Sequence, residues 1–479
     1  MAFSQGVSGL NAAASQLDTI GNNIANSQTV GYKSSRTEFA DIYAGAKAGL
    51  GTKVAAVTQN FNSGSLETTN RDLDLAIDGG GFFRLTDGNQ VSYSRNGQFQ
   101  MDSEGYLVSN TGQQLTGYNV QNFNSLTTDP SVATGGTPEA IQVPSTSMIA
   151  KGTSEARGKV ALDAGSDIKD PANFNSNDVN TYSWSTTNTV YDSLGNAQSL
   201  NLYFVKDGSN SWQVNAEMPL GSEANWSGTV AAGGDYPTPT DPDAFDPVNE
   251  GNGTYNFSTA SGHQYRAVVT GASDDGTGTW SGGEISYTET QPSIQLSFNG
   301  NGVLTQAAQT DKPGDLSTNQ VQWAFDSQNG SAETDFSFDF SGATQTAKSF
   351  SIADVTQNGN APGDLTGISI GDDGTINGSY SNGRTVGLGR VALADFANEQ
   401  GLSPIGNNQW VATTSSGQEL LGTAGTGQLG SLISGTLEQS NVDLSQELVN
   451  MIVSQRNYQA NAQTIKTQDQ ILQTAVSLR

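Results

Sequence analysis

The residues with the clearest potential for catalysis are Gly367, Ser369 and Gly371, which match the G-x-S-x-G pattern of a serine nucleophile at a sharp turn. That chemistry also needs an acid and then a histidine later in the chain. The chain has one histidine, His263, which precedes the serine, and it has no cysteine. We therefore interpret this segment as the edge of a strand, and the sequence predicts no enzyme and no catalytic residue.

Two further patterns are compatible with cofactor or metal binding. Gly425, Gly427 and Gly430 match G-x-G-x-x-G, but no βαβ unit surrounds them, which favours a flexible linker. Acidic loops offer oxygen ligands of the kind that Ca²⁺ prefers, at Asp241, Asp243, Asp246, Glu250, Asp274 and Asp275. Their spacing differs from that of a dedicated calcium loop, so solvated turns are favoured over weak calcium binding. We predict no cofactor and no metal site.

The charge of the chain limits its partners. Its 479 residues include 47 acidic and 20 basic residues, a net charge of −27, which argues against nucleic-acid binding. The start of the chain lacks a basic segment followed by an apolar one, and no apolar run approaches the ~20 residues that span a bilayer. We therefore expect neither an ordinary signal peptide nor membrane insertion. The charge is uneven, with 22 acids and 7 bases in 146–333 but three of each in 441–479.

Both ends of the chain have the apolar spacing of a coiled coil, alternating between four and three residues. At the C-terminal end, the positions are Leu444, Leu448, Met451, Gln455, Tyr458, Ala462, Ile465, Asp469, Leu472 and Val476. At the N-terminal end, they are Phe3, Val7, Leu10, Ala14, Leu17, Gly21 and Ile24. We predict an assembly seam formed by Val7, Leu10, Leu17, Ile24, Leu444, Leu448, Met451, Tyr458, Ile465 and Leu472.

The segments between the two ends alternate in polarity and are separated by Gly, Asn and Asp turns, a pattern typical of strands. We predict a multidomain α+β fold in which the N- and C-terminal helices pair as a coiled coil and mostly-β domains are nested between them. The expected parts are a helical domain (1–26 and 441–479), a connector (27–72 and 425–440), an inner β domain (73–145 and 334–424) and an acidic outer β domain (146–333).

Several stretches together resemble the axial proteins of the bacterial flagellum, and the hook proteins in particular. They are Ser8–Ala12, Gly21–Asn26, Thr29–Lys33, Gly435–Leu444, Glu447–Val453 and Gln455–Asn461 near the ends, and Tyr191–Gly195, Leu202–Val205, Gly374–Gly383 and Leu388–Phe396 inside. The resemblance is dense over 1–120 and 336–479 and patchy over 146–333. One departure is Glu399 after Asn398, where the family pattern has proline.

The resemblance implies a structural subunit of the flagellar hook, outside the cell, which polymerises into a curved helical tube and transmits motor torque as a universal joint. It implies other axial proteins as partners (the rod, the hook cap and the hook–filament junction) and export by the flagellar type III apparatus. Terminal helices would line the tube. Alone in water a helix pair with an apolar stripe is marginal, so neighbouring copies must supply the missing burial.

Two alternatives remain at the level of sequence. A distal rod protein shares both terminal signatures, but such proteins are shorter and a large acidic centre does not suit a tightly sleeved rod. A secreted glycan-binding adhesin could use Trp184, Trp212, Trp226 and Trp280 as a sugar-binding face, although packing in β-domain cores is favoured. The adhesin leaves the neutral helices at both ends unexplained.

Overall fold

The structure is a computed structural model. It describes residues 2–42, 51–126, 128–229, 245–249, 254–258, 264–270, 273–274, 279–291, 293–309, 319–325 and 329–477. The chain divides into two compact units, and each is described by itself. The first unit combines Met1–Ser147 with Leu365–Arg479, and the second is Met148–Asp364. The first unit is therefore discontinuous in sequence.

The N-terminal part of the first unit begins with a helix and continues in strands. Its elements are α1 (Ala2–Ala25), β1 (Ser35–Asp41), β2 (Thr52–Gln59), β3 (Leu66–Thr68), β4 (Leu75–Asp78), β5 (Phe82–Asp87), β6 (Gln90–Ser94), β7 (Phe99–Met101), β8 (Leu107–Ser109), β9 (Gln114–Gln121), β10 (Ser131–Val132) and β11 (Glu139–Ala140).

The second unit consists of strands and one 3₁₀ turn, Pro171–Asn173. Its strands are β12 (Glu155–Asp163), β13 (Trp184–Tyr191), β14 (Ala197–Gly208), β15 (Ser211–Thr229), β16 (Phe245–Asn249), β17 (Thr254–Ser258), β18 (Gln264–Thr270), β19 (Ser273–Asp274), β20 (Thr279–Thr290), β21 (Ile294–Phe298), β22 (Leu304–Gln309), β23 (Gln320–Phe325), β24 (Thr334–Asp339), β25 (Thr344–Thr346) and β26 (Ser351–Gln357).

The C-terminal part of the first unit returns through strands and a 3₁₀ turn, Glu399–Gly401, to a long helix. Its elements are β27 (Leu365–Ile370), β28 (Thr375–Tyr380), β29 (Thr385–Asp395), β30 (Ser403–Gly406), β31 (Gln409–Val411), β32 (Leu420–Thr423), β33 (Ser431–Ser434), β34 (Thr436–Glu438) and α2 (Leu444–Ser477).

The two parts of the first unit share their sheets. A 13-stranded sheet runs in the order β27-β28-β29-β9-β5-β6-β31-β30, with shorter strands attached to it. Two small antiparallel pairs, β3 with β34 and β4 with β33, also join an early strand to a late one. The first unit therefore requires both ends of the chain for its hydrogen-bonded ladders.

The second unit contains a 10-stranded and a five-stranded sheet. In the five-stranded sheet β12 runs parallel to β24 and β25 and antiparallel to β26. The alternations predicted from the sequence are confirmed here, because the apolar members are buried in one core: Leu200, Leu202, Phe204, Ile294, Leu296, Phe298, Phe336, Phe338 and Phe340.

The core of the first unit includes an aromatic cluster. The ring of Phe82 lies 5.6 Å from that of Phe61 and 5.8 Å from that of Trp410, both edge to face. Tyr93 packs edge to face on Phe396 at 4.7 Å. Edge-to-face pairs at these distances add to the burial of apolar area, so this cluster rigidifies the strands that adjoin the terminal segments.

The segments predicted as connectors contain strands. Segment 27–72 includes β1, β2 and β3, and segment 425–440 includes β33 and β34. Five consecutive residues of β2 are exposed, from Lys53 to Val57. A strand that buries neither face has no alternation of polarity, which is why the sequence pattern did not indicate it.

Candidate functional site at the terminal helices and their junction

The two terminal helices lie side by side and run antiparallel. Near the start of α1, a Cβ added at Gly9 would lie 2.8 Å from Oδ1 of Asn461, late in α2. Near the end of α1, Asn23 donates from Nδ2 to Oε1 of Glu447, early in α2, at 3.0 Å. The start of α1 therefore lies beside the later part of α2, and the end of α1 lies beside the start of α2.

Small residues on α1 permit this close approach. Gly6 and Gly9 face α2 one turn apart, and a Cβ at Gly6 would lie 3.1 Å from Cγ1 of Ile465. Ala12 and Ala13 are buried as well. These glycine and alanine residues let the backbones of α1 and α2 approach each other, whereas larger side chains would hold the helices apart.

The side of α2 that lies against α1 is largely polar. It carries Glu447, Asn461 and Ile465, and Ser454 is fully buried at the same helical position two turns after Glu447. At the beginning of α2, Asp443 accepts from the backbone N–H of Gln446 at 3.0 Å and caps the helix.

The predicted seam residues are placed in two ways. Six are half-buried: Val7, Leu10, Leu17, Ile24, Met451 and Ile465. Four are exposed, with exposed fractions of 45%, 45%, 37% and 57%: Leu444, Leu448, Tyr458 and Leu472. The four α1 members and two α2 members are thus partly covered in one copy, and the other four α2 members are exposed.

Three more apolar residues of α2 are exposed beside them. We call Leu444, Leu448, Val449, Ile452 and Val453 the uncovered stripe; all are 45% exposed or more. A contiguous apolar surface of this kind marks an interaction site. The spacing from Leu444 did not include Val449, Ile452 or Val453, because it assumed a narrow stripe facing one partner helix.

A buried ion triad joins the helices to the β strands. Nζ of Lys33 lies 2.6 Å from Oε1 of Glu438, and a guanidinium nitrogen of Arg95 lies 3.2 Å from Oε2 of the same carboxylate. The three side chains are at most 2% exposed. Burial lowers the pKa of Lys33, and the charge of Glu438 opposes that shift.

The triad is held by further donors and acceptors. The backbone N–H of Gly64 donates to Oε1 of Glu438 at 2.8 Å, and Lys33 also donates to the carbonyl of Asn62 at 2.8 Å. Arg95 donates to the carbonyl of Gly79 and lies 5.4 Å from the ring centre of Phe82. Paired and hydrogen-bonded in this way, the three charges tolerate burial.

Two asparagines complete the junction. Asn23, 1% exposed, donates to the carbonyl of Ser35 at 2.8 Å and accepts from its N–H at 2.9 Å. Asn441 donates to the carbonyls of Asn60 and Asn62 and accepts from the N–H of Ser34. The side-chain amides of Asn23, near the end of α1, and Asn441, before α2, thus form hydrogen bonds with backbone groups that have no partner in a helix or sheet.

Sequence reasoning did not assign a role to the triad or these asparagines. Lys33, Glu438, Asn23 and Asn441 lie inside the stretches that resemble the flagellar proteins, whereas Arg95 lies outside them. One signal was available: isolated charges in the charge-poor segments next to the helices are candidates for specific pairing.

The patterns weighed for chemistry have structural roles or lie outside the described residues. Ser369 is exposed in β27, the end strand of the large sheet. Gly425, Gly427 and Gly430 lie in a turn between β32 and β33. His263, Asp241, Asp243, Glu250 and Asp275 are outside the described residues, as are the side chains of Asp246, Asp274, Trp226 and Trp280. Trp212 is buried in the core, whereas Trp184 is 43% exposed.

The described residues show neither a cluster of metal ligands nor a membrane-spanning helix. They contain no group of three or more His, Cys, Asp or Glu residues that could hold a metal ion. No helix among them is long and apolar enough to cross a membrane.

Family models match most of the chain in consecutive segments. Residues 4–33 match "Flagella basal body rod protein", 76–162 "Flagellar hook protein FlgE/F/G D1 domain", 161–360 "Flagellar basal body protein FlaE D2 domain" and 433–478 "Flagellar basal body rod FlgEFG protein C-terminal". The flagellar hook protein FlgE of Escherichia coli K12 is 43% identical over the full length of both chains. The chain belongs to the flagellar hook protein family.

The chain is also similar to hook proteins of other bacteria. The flagellar hook protein FlgE of Salmonella typhimurium is 42% identical over the full length of both chains, and that of Treponema pallidum is 29% identical over 99% of this chain and 98% of its own. A solved structure, the Helicobacter pylori flagellar hook protein FlgE2, has a TM-score of 0.38 and 14% identity, covering 76% of this chain and 98% of that chain. The chain is a hook subunit, and the hook family is structural.

Proposed function

We propose that the chain polymerises through its terminal helices into a curved helical tube outside the cell, and that this tube transmits torque as a universal joint. The observation that carries the proposal is the uncovered stripe on α2. Its apolar side chains face away from α1, so only another molecule can remove them from water. Burial of apolar area then stabilises the polymer by roughly 25 cal/mol per Å².

We further propose that the predicted seam works as a coiled coil only in the polymer. Met451 and Ile465 face α1 within one copy, while Leu444 and Leu448 pack on helices of neighbouring copies. A head-to-tail contact of this type is heterologous and yields an open helical assembly. The low charge of the helices suits such packing, because close copies then avoid like-charge repulsion.

The acidic segment 146–333 has a different proposed role. It carries most of the net negative charge, so equivalent segments of neighbouring copies repel weakly and form few fixed contacts. Contacts that slide are what a bent, rotating tube requires. We propose that this segment is the outer domain, with the helical domain (1–26 and 441–479), the connector (27–72 and 425–440) and the inner β domain (73–145 and 334–424) nearer the axis of the tube.

The proposed partners follow from this role. They are other copies of the chain, the rod, the hook cap and the hook–filament junction proteins, and the flagellar type III export apparatus. We propose neither nucleic-acid binding nor membrane insertion, and no enzymatic activity or cofactor.

Electron microscopy of the purified protein under polymerising conditions tests the proposal. We expect tubes from the full chain and none from a variant that lacks 444–477. A variant with Ile452→Ser and Val453→Ser should fold normally, since both side chains are exposed in one copy, but should form tubes less readily. Tubes formed equally well by the deletion variant would contradict the proposal, and so would glycan binding by a chain that never polymerises.

A further inference from the structure

A polar cavity of about 660 Å³ lies where α1, the β1–β2 pair and the start of α2 meet. Its lining includes Gln16, Thr19, Asn60, Gln400, Glu447 and Asn450. We call it the amide cavity. Amide and hydroxyl groups can both donate and accept, so a cavity of this composition suits a polar side chain with several donors.

One carboxylate oxygen beside the amide cavity is without a partner. Oε1 of Glu447 accepts from Asn23, but Oε2 is buried and makes no hydrogen bond to any residue that the structure describes. Glu38, the other acid in the lining, already pairs with Arg36 at 2.8 Å. A buried carboxylate oxygen without a donor is unfavourable, and the best partner for it is a cation that donates hydrogen bonds.

On α2, Arg456 is a cation that lacks an acceptor. It is exposed, no ion pair forms to it in the described part of the chain, and no carboxylate lies three or four positions away. Its neighbours at that spacing include Ile452 and Val453 of the uncovered stripe. Lys466 differs, since Asp469 lies one turn after it. Covering the stripe therefore buries Arg456 in particular.

Arg456 and Glu447 cannot meet within one helix. They are nine residues apart, which is about two and a half turns and about 13 Å along the axis, so they lie on opposite sides of α2. Glu447 faces α1 and Arg456 faces away. One side of α2 therefore carries a hydrogen-bond donor and the opposite side an acceptor. Such a helix can make the same head-to-tail contact with each successive copy, which gives an open assembly rather than a closed one.

We propose that the Arg456 guanidinium of one copy enters the amide cavity of the next copy and donates to Glu447. The planar guanidinium bonds to the free carboxylate oxygen, and the amide oxygens around the cavity accept its remaining N–H groups. A small turn of the Glu447 carboxylate presents Oε2 to the cavity. The inference rests on the proposed polymerisation and adds the residue pair that sets the register between copies.

A charge-reversal mixture tests this pairing. Arg456→Glu places two carboxylates together at every contact, and Glu447→Arg places two guanidinium groups together. Each variant alone should polymerise only at a concentration raised by about tenfold or more, because like charges across an interface are strongly unfavourable. An equimolar mixture of the two should polymerise near the wild-type concentration, since alternating copies restore opposite charges at every contact.

Three matched variants complete the design. Lys466→Glu, on the same helix, should change the critical concentration by at most about twofold, as expected for a solvated charge. Glu447→Gln keeps an acceptor for Asn23 and should weaken assembly without changing the circular dichroism of the monomer. The double variant Arg456→Glu with Glu447→Arg should polymerise alone.

The outcomes distinguish this inference from the proposed function. If wild type forms no tubes, the proposed function fails. If wild type forms tubes and Arg456→Glu assembles as readily as Lys466→Glu, the pairing is wrong while polymerisation stands. Assembly that depends on a divalent cation and is abolished by a chelator, with Arg456→Glu unaffected, would assign the cavity to a metal ion and also overturn the pairing.

Discussion

Substitution of Glu438 by glutamine should open the junction between the helices and the β strands. In the folded chain this carboxylate accepts hydrogen bonds from Lys33, Arg95 and the backbone N–H of Gly64. The side chains of Lys33, Arg95 and Glu438 are all buried. Glutamine keeps one acceptor oxygen but leaves Lys33 and Arg95 without the carboxylate that pairs with both of them directly. Removing one partner of a buried ion pair costs roughly 3–5 kcal/mol, and we expect a loss of that size here.

Hydrogen exchange measured by mass spectrometry on peptides that cover 28–34 and 62–66 reports this loss directly. The N–H of Gly31, which donates to the carbonyl of residue 438 at 2.8 Å, and that of Gly64 lie in these peptides. A loss of roughly 3–5 kcal/mol lowers their protection by about 100-fold to 1000-fold or more. Glu38→Gln is the control, because the Arg36–Glu38 pair is exposed and such pairs contribute little.

The same variant should also show a stronger pH dependence of stability than the wild type. Burial already lowers the pKa of Lys33, and loss of the Glu438 charge removes the main effect that opposes this lowering, so that only the charge of Glu399 still opposes it. Between the lowered folded pKa and the ordinary value of 10.5, the unfolded chain binds more protons than the folded one, so stability rises with pH. If Glu438→Gln lowers the exchange protection of these amides by less than about threefold at neutral pH, which is under ~1 kcal/mol, the ion triad does not stabilise the junction as we expect.

Three further perturbations have defined outcomes. Gly9→Val puts a branched side chain where a Cβ would lie 2.8 Å from Oδ1 of Asn461, so the Asn461 side chain or the helix must shift. We expect a cost of about 1–3 kcal/mol, measurable as a lower midpoint of thermal unfolding by circular dichroism. Glu399→Gln should raise the thermal midpoint at a pH above the raised pKa of Glu399 and lose that advantage as the pH falls below the ordinary value of 4.5, because burial raises this pKa and penalises the charged form in the fold. A difference in midpoint that does not change with pH would contradict this. Ile452→Ser with Val453→Ser should leave the monomer's helix content unchanged and raise the critical concentration for tubes, as measured by sedimentation.

Local patterns in the sequence were sufficient to predict elements whose burial repeats regularly. The alternation at Leu200, Leu202 and Phe204 corresponds to inward-facing positions of β14, and both terminal helices were expected from apolar spacing. The spacing of apolar residues indicates which face of a strand or helix is buried, but it does not indicate which other element packs against that face. For α2 this matters, because Leu444 and Leu448 are exposed, whereas the side toward α1 carries Glu447 and Asn461 beside Ile465.

The junction could not be predicted, for a reason of distance along the chain. Lys33 and Glu438 are 405 positions apart, and neither residue belongs to a repeating pattern. Their pairing depends on β3 meeting β34 and on α1 meeting α2 in one register. A single charged residue in a polar stretch looks the same whether it is solvated or buried, so only the assembled fold reveals the triad.

The discontinuous first unit also acts as a check on chain length. Residues 1–147 supply Lys33 and Arg95, but the acceptor for both, Glu438, is made near the end of the chain. A chain truncated before that point has two cations that it cannot bury and several unpaired strand edges. We therefore expect a chain truncated in this way to leave the first unit incomplete.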